Sequence, residues 1–207
     1  GELTLLALAL GLAAAAITSI AFFSDRVDRA LHVQASQLLA ADLVVVADQP
    51  YSSMIRDEAQ QNGLSVAESV TFPSMVLASG NTMLATYKAV SHGYPLRGTV
   101  TVRDRHGVTH TGRFAPQAGT VWADTRLLTR LNIRLGDRIT LGNIALTLVA
   151  EMVNEPDGVM DPYNFIPRLL FNVHDLPATG LIQPGSRARW RMMVAGSAKS
   201  LAEFKHG

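Results

Sequence analysis

LTLLALALGLAAAAITSIAFF, residues 3–23, is the stretch on which the fold turns. It carries no charge, and only Thr4, Thr18 and Ser19 are polar. At about 1.5 Å per residue a helix of this length spans roughly 31 Å, the thickness of a bilayer's hydrocarbon core. A helix satisfies its own backbone hydrogen bonds and so tolerates lipid. Glu2 precedes the run, and Asp25, Arg26, Asp28 and Arg29 follow it. The run therefore predicts a transmembrane helix over residues 1–23, with the rest of the chain on one side of the membrane. Two other readings compete. A cleaved signal sequence would use the small residues Ala13 to Ala16, but the apolar run is long for one and no basic segment precedes it. A buried core helix of a soluble domain is the second. Ala7, Gly11, Ala15 and Ser19 recur at every fourth residue, which gathers small side chains on one face where another helix can approach closely. The plainer account is that Ala and Gly are common in membrane helices.

Beyond Phe23 an apolar stripe continues at Val27, Leu31, Ala35 and Leu38, in steps of 4, 4 and 3 that fit a helical period. No Gly or Pro lies between Leu12 and Val46. This predicts a stalk over 24–41, helical to about Leu39; the alternative is a separate amphipathic helix on the membrane surface.

The remaining sequence alternates strand and turn signals. Asp42–Ala47 reads as a buried strand. Ser52 or Ser53 caps a helix to about Gln61, and a second strand follows from Leu64, a spacing of the size of a βαβ unit. Ser79-Gly80 and Asp104–Gly107 mark hairpins. Asp124 caps a short helix bearing Leu127, Leu128 and Leu131. Gly142-Asn143 turns a further hairpin, and 174–185 reads as irregular. Arg187, Arg189 and Arg191 alternate with Ala188, Trp190 and Met192 in a half-buried strand, and Ser197 caps a last helix. The class is α+β. A membrane-proximal, βαβ-like portion covers 42–114 and 186–207, and a β-rich insertion covers 115–185.

The chain has 207 residues, 48% hydrophobic and 17% charged, which suits one large domain or two small ones. A net charge of +1 offers nothing to nucleic acid. The absence of cysteine excludes disulfides, thiolate metal sites and cysteine nucleophiles. Opening on Gly1 rather than Met marks a piece of a longer protein, and without the preceding residues no positive-inside argument for orientation is possible.

Chemical motifs are sparse. There is no phosphate-binding G-x-x-x-x-G-K-[ST] and no G-x-S-x-G. His106 and His110 are four apart but fall across a hairpin turn, which favours solvent over zinc. Glu155, Asp157 and Asp161 share a loop that could hold calcium, yet the order of an EF-hand is missing and a turn is the better reading. The three arginines at 187, 189 and 191 could meet anionic lipid headgroups; a solvated face is the simpler account. No catalytic, cofactor or metal site is assigned.

The order of several blocks resembles a known family. GELTLLALALGLAAAAITSIAFFSDRVDRAL (1–31) and QASQLLAADLVV (34–45) are similar to the start of permease subunits of FtsX/MacB-like ABC transporters. HGYPLRG (92–98), VWADTRLLTRLNIRLGDRITLG (121–142), EPDG (155–158) and PRLLFNVHDLPATGLIQPGSRARWRMMVAG (167–196) are similar to their external domain, the MacB-like periplasmic core. Within that family the likeness is to the YbbP-type permeases, and it is weakest across 48–90. The resemblance implies a bacterial inner-membrane protein, with a cytoplasmic N-terminus and residues after about 24 in the periplasm. It implies an ABC ATPase subunit as partner, contacts with other permease helices or a second permease copy, and a neighbouring periplasmic thioesterase-like protein. It further implies that ATP-driven movement of stalk helices is passed to the external domain for extraction or export of hydrophobic, lipid-like substrates, with hydrolysis on a separate subunit. Two other readings are a membrane-anchored periplasmic scaffold or sensor without transport activity, and a membrane-anchored hydrolase. A second membrane helix shortly after Gly207 and an adjacent ATPase gene would favour the permease.

Overall fold

The computed structural model describes residues 1–158, 165–183 and 185–206. It contains two compact units, Gly1–Ala35 and Ser36–Gly207.

A single helix, α1, runs unbroken over Glu2–Leu39. Ala and Leu dominate its first two-thirds, and nothing after Gly11 interrupts it. Thr18 Oγ1 donates back to the Ala14 carbonyl at 2.7 Å, so even its hydroxyl is satisfied within the helix. Asp25 and Arg29 pair at 2.9 Å across one turn. Among the described residues this is the one helix long and apolar enough to cross a membrane, and its apolar span Leu10–Leu39 is not buried anywhere within the chain. That exposure removes the buried-core reading. The stalk is a continuation of the same helix rather than a separate amphipathic segment. The helix stops because Ala40 adopts a left-handed φ of 58°. Ala40 N–H donates to Gln37 O at 3.3 Å and Ala41 N–H to Ser36 O at 3.1 Å, which closes the last turn.

The second unit is built on one mixed sheet. Its strands are β1 (Leu43–Ala47), β2 (Ser65–Ala78), β3 (Asn81–Val90), β4 (Val100–Arg103), β5 (Thr109–Gly112), β6 (Thr120–Asp124), β7 (Arg138–Leu141), β8 (Ile144–Asn154), β9 (Arg168–Asn172) and β10 (Arg189–Ala195). The helices are α2 (Ser53–Gln61), α3 (Thr125–Leu131), α4 (Leu176–Thr179) and α5 (Ala198–His206). The order along the sheet is β1-β10-β2-β3-β9-β6-β8-β4-β5, and β7 pairs with both β2 and β8. That last pairing, Leu77 opposite Thr140, closes β2-β3-β9-β6-β8-β7 into a ring. The interior follows from the strands' period of two. Phe72 and Val76 of β2, Tyr87 of β3, Val121 of β6, Ile139 of β7, Leu148 of β8 and Phe171 of β9 all belong to one buried cluster. Leu127 and Leu131 of α3 join the same cluster.

Two wings extend the ring. β10 pairs antiparallel with β2, and β1 antiparallel with β10, so β1 and β2 run parallel with β10 between them. The expected βαβ unit is thus split: its two strands are not neighbours, because a strand from the far end of the sequence occupies the gap. On the other side β8 carries the β4–β5 hairpin. Residues 174–185, read as irregular, contain the end of a 3-10 turn, Val173–Asp175, and then α4. The Asn172 side chain starts that turn by accepting from His174 N–H at 3.0 Å.

The local punctuation matches the sequence signals. Ser79 and Gly80 both have positive φ, as a two-residue hairpin turn requires. Ser52, Asp124 and Ser197 each accept a hydrogen bond from the first turn of α2, α3 and α5. Gly142 has a further reason to be glycine: a Cβ there would collide with the Thr179 carbonyl oxygen, which accepts from Asn143 N–H at 2.9 Å.

Phe171 is fully buried and meets Tyr87 edge-on, with ring centroids 6.3 Å apart. Phe171→Ala should lower unfolding stability by about 3–5 kcal/mol. Val108→Ala, at an exposed hairpin position, should stay within about 0.5 kcal/mol. Urea unfolding of the detergent-solubilised chain followed by tyrosine and tryptophan fluorescence reads both.

Candidate functional site

Lys88 lies on β3 between two residues, Tyr87 and Ala89, that fill the ring. Alternation turns its side chain to the outer surface, but that surface is covered, and the side chain is only 4% exposed. A dehydrated ammonium costs several kcal/mol unless it is paired and hydrogen-bonded. Two loops supply the partners. The loop after β8 brings Glu155 Oε2 to 3.0 Å and Asp157 Oδ1 to 2.5 Å of Nζ. The loop after β3 brings Tyr94, whose hydroxyl accepts from Nζ at 2.9 Å and donates to Asp157 Oδ1 at 2.5 Å. Nζ also sits 4.6 Å from the centre of the Tyr94 ring. Arg168 of β9 donates to Glu155 Oε1 and to the Gly158 carbonyl. Arg191 of β10 stands 3.5 Å from Asp157 Oδ2. Each carboxylate oxygen of the pair has a donor, so the arrangement fastens two loops to three strands.

The ionisation of the group follows from these contacts. Burial opposes charge on Asp157, but the Lys88 charge and hydrogen bond, the Tyr94 hydroxyl and Arg191 outweigh it and hold the carboxyl below its ordinary range. Burial, and then the two carboxylates, push the Tyr94 hydroxyl well above its ordinary value.

A second fastening lies next to the first. Arg97, two residues past the Tyr94-Pro95 cis bond, grips Asp42 with two nitrogens at 2.9 and 2.6 Å. Its own N–H donates to the Ala40 carbonyl at 2.9 Å. Asp42 Oδ2 also accepts from Gly196 N–H at 3.1 Å, which ties the entry to β1 to the exit from β10. Gly98 has a φ of 71°, and a Cβ there would come 2.8 Å from Pro156 Cβ and 3.1 Å from the Gln37 carbonyl. The loops 91–98 and 155–158 and the last turn before Ala40 thus meet at one glycine.

Sequence reasoning singled out other residues. Ala7, Gly11, Ala15 and Ser19 lie exposed on α1, as do Val27, Leu31, Ala35 and Leu38, and a Cβ on Gly11 would meet nothing within 4 Å. Glu155 and Asp157, weighed as calcium ligands, are instead turned onto Lys88. Asp161 lies outside the described residues. Among the described residues no group of three or more His, Asp or Glu side chains is placed to hold a metal ion. His110 pairs with Asp104 at 2.9 Å, and Arg105 donates to His106 at 3.2 Å. Arg191 is not part of a solvated face, because the 155–158 loop covers it; Arg187 and Arg189 are exposed. Lys88, Tyr94 and Arg97 were missed. The available signal was a single lysine in the otherwise uncharged strand NTMLATYKAV: a charge there must find a buried partner.

Lys88→Met should cost about 3–5 kcal/mol at pH 7, because two carboxylates lose their shared cation. The stabilisation through Asp157 is present above the unfolded carboxylate value of about 3.9 and is lost as pH falls through the lower folded value. The deficit of Lys88→Met should therefore narrow in acid. The Tyr94 contribution is complete below the unfolded tyrosine value of about 10 and is lost as pH rises above it, so Tyr94→Phe should flatten the alkaline limb. Denaturant midpoints across pH 3–11 measure both.

No family model matches the chain. In sequence it is 34% identical over 198 residues, 96% of its length, to the uncharacterized ABC transporter permease YbbP of Escherichia coli (strain K12). It spans about a quarter of that relative, 24% of its length. In structure it is similar to the extracellular domain of the noncanonic ABC-type transporter YknZ from Gram-positive bacteria, with a TM-score of 0.51, 10% identity, and coverage of 78% of this chain and 88% of that one. The periplasmic region of MacB from Actinobacillus actinomycetemcomitans overlaps at a TM-score of 0.47, 12% identity and 79% of each chain. The YknZ match shows the fold, and the YbbP match shows that nearly the whole of this chain is similar in sequence to part of an ABC transporter permease.

Proposed function

We propose that this segment passes movement of its membrane helix to the external domain of an inner-membrane permease. ATP bound and hydrolysed on a separate ABC ATPase subunit drives the movement, and the domain uses it to extract or export hydrophobic, lipid-like molecules. The single observation that carries this reading is α1, which continues as one helix from the apolar run to Leu39 and ends where Arg97 grips Asp42. A continuous helix transmits displacement along its axis, and the Asp42 carboxylate shares that displacement between β1 and the end of β10. Kinship with a named permease at 34% identity supports the same reading.

The face Ala7, Gly11, Ala15 and Ser19 would pack on other permease helices or on a second permease copy, and Val27, Leu31, Ala35 and Leu38 would extend that seam along the stalk. A periplasmic thioesterase-like protein is a further candidate partner. Within the external domain we propose a membrane-proximal portion, 42–114 with 186–207, and a β-rich portion, 115–185. The first would receive the displacement and the second would present it to substrate.

In lipid, apolar burial adds little to helix association, so close backbone contact decides it. In the complete transporter, Gly11→Leu should lower ATP-driven transport at least severalfold, while Leu12→Ile should leave it near wild type; equal activities would remove the packing face. The purified chain alone should show no ATP hydrolysis above background, since it has no phosphate loop. Hydrolysis that copurifies with the chain through successive columns would contradict the division of labour.

A further inference from the structure

Beside the Asp42–Arg97 grip lies an open cavity of about 530 Å³, within the range of small-ligand sites. Leu38 and Pro156 give it an apolar wall, Thr99 and Asn154 a polar one, and Arg97 and Arg113 reach it from one side. The two arginines converge. Arg97 Nη1 donates to the Leu96 carbonyl at 3.2 Å, and Arg113 Nη1 to the same oxygen at 3.4 Å. The two nitrogens are therefore no farther apart than the sum of those distances. Two guanidinium groups this close repel one another unless an anion lies between or beside them.

One anion is already committed: Asp42 neutralises Arg97 through both of its oxygens. Arg113 has no such partner. Among the described residues its one hydrogen bond is the long one to Leu96, and it makes no ion pair. Glu155 also borders the cavity, but its side chain is 3% exposed and its oxygens are held by Lys88 and Arg168. Among the described residues, Asp42 answers Arg97, Lys88 and Arg168 answer Glu155, and Arg113 on the cavity wall is left without an ion pair. The cavity wall is thus left with cationic surplus.

We propose that this cavity is a binding site for a phosphate mono- or diester, held by the Arg113 guanidinium with Arg97 as its neighbour and with Thr99 and Asn154 as hydrogen-bonding groups. A planar guanidinium matches two oxygens of such an anion. The apolar wall of Leu38 and Pro156 suits the carbon skeleton of an ester. The site is independent of the transport reading: it requires an anion, not a cargo, and it stands whether or not the helix transmits force.

The same chemistry can come from a free phosphate or from an anionic lipid headgroup. The test uses the full chain in a non-ionic detergent, with isothermal titration of inorganic phosphate in one arm and of short-chain phosphatidylglycerol below its micelle concentration in the other. Saturable one-to-one binding of either probe is expected, weakened at least tenfold by Arg113→Gln and by raised salt. Arg105→Gln, on the distant hairpin turn, should bind as wild type. Binding of phosphate assigns a small anion; binding of the lipid alone assigns the headgroup. Arg113 is exposed, so its replacement leaves the core intact, and an unchanged circular dichroism spectrum verifies this. No binding of either probe to the wild-type chain, or equal binding by Arg113→Gln, overturns the site.

Discussion

A lysine ammonium cannot be left dry and alone, and the arrangement of this domain outside its barrel answers to that rule. Lys88 projects from a strand whose neighbouring residues belong to the hydrophobic interior, so its own position is fixed by the ring. Glu155, Asp157 and Tyr94 must then come to it, and they bring two loops with them. Those loops meet the chain at Gly98 and Pro156, and Arg97 is delivered to Asp42 as a result. An apolar residue at 88 with apolar partners could be equally stable. It would not dictate which loop lies where, because apolar contact is indifferent to direction and a bidentate or shared carboxylate is not.

The ring itself divides labour between its two surfaces. Inward positions are large and apolar, from Phe72 to Phe171, and supply the stability. Outward positions on the same strands carry Lys88 and Arg168, which with Arg191 of the neighbouring β10 supply the connections to the loops. Because successive side chains alternate, a slip of one residue in β3 would place the ammonium in the barrel and a tyrosine ring at the loops. The charge and the core therefore enforce the same register.

Much of this was legible in the chain because it is local. An uncharged run of the right length makes α1, and Ser52, Asp124 and Ser197 announce helices by a single hydrogen bond each. Ser79-Gly80 and Gly142-Asn143 turn hairpins where the signals stand. What could not be read joins distant residues. Nothing near β7 says that Thr140 will meet Leu77 and close a ring. Nothing near Leu43 says that its neighbour is Val194, which is why the βαβ reading missed the strand between. The candidate site failed for the same reason: Glu155 and Asp157 read as a turn because their partner lies in β3. Lys88 alone carried a usable sign, a cation in a strand with no other charge.

The placement of β10 has a consequence for how the domain is made. Every strand of the ring lies between residues 65 and 172, so the barrel can assemble as soon as β9 has left the ribosome. β1, made far earlier, has β10 as its sheet neighbour. At about 5–20 residues per second the wait from Ala47 to Arg189 is roughly 7–30 seconds. For that interval the β1 edge has no sheet partner, and the contacts of Arg97 with Asp42 and the Ala40 carbonyl are the ones available to hold it. The arrival of β10 fills the slot between β1 and β2, sets Gly196 against Asp42, and brings Arg191 to Asp157. The sheet partner of β1 is thus supplied only after every strand of the ring has been made.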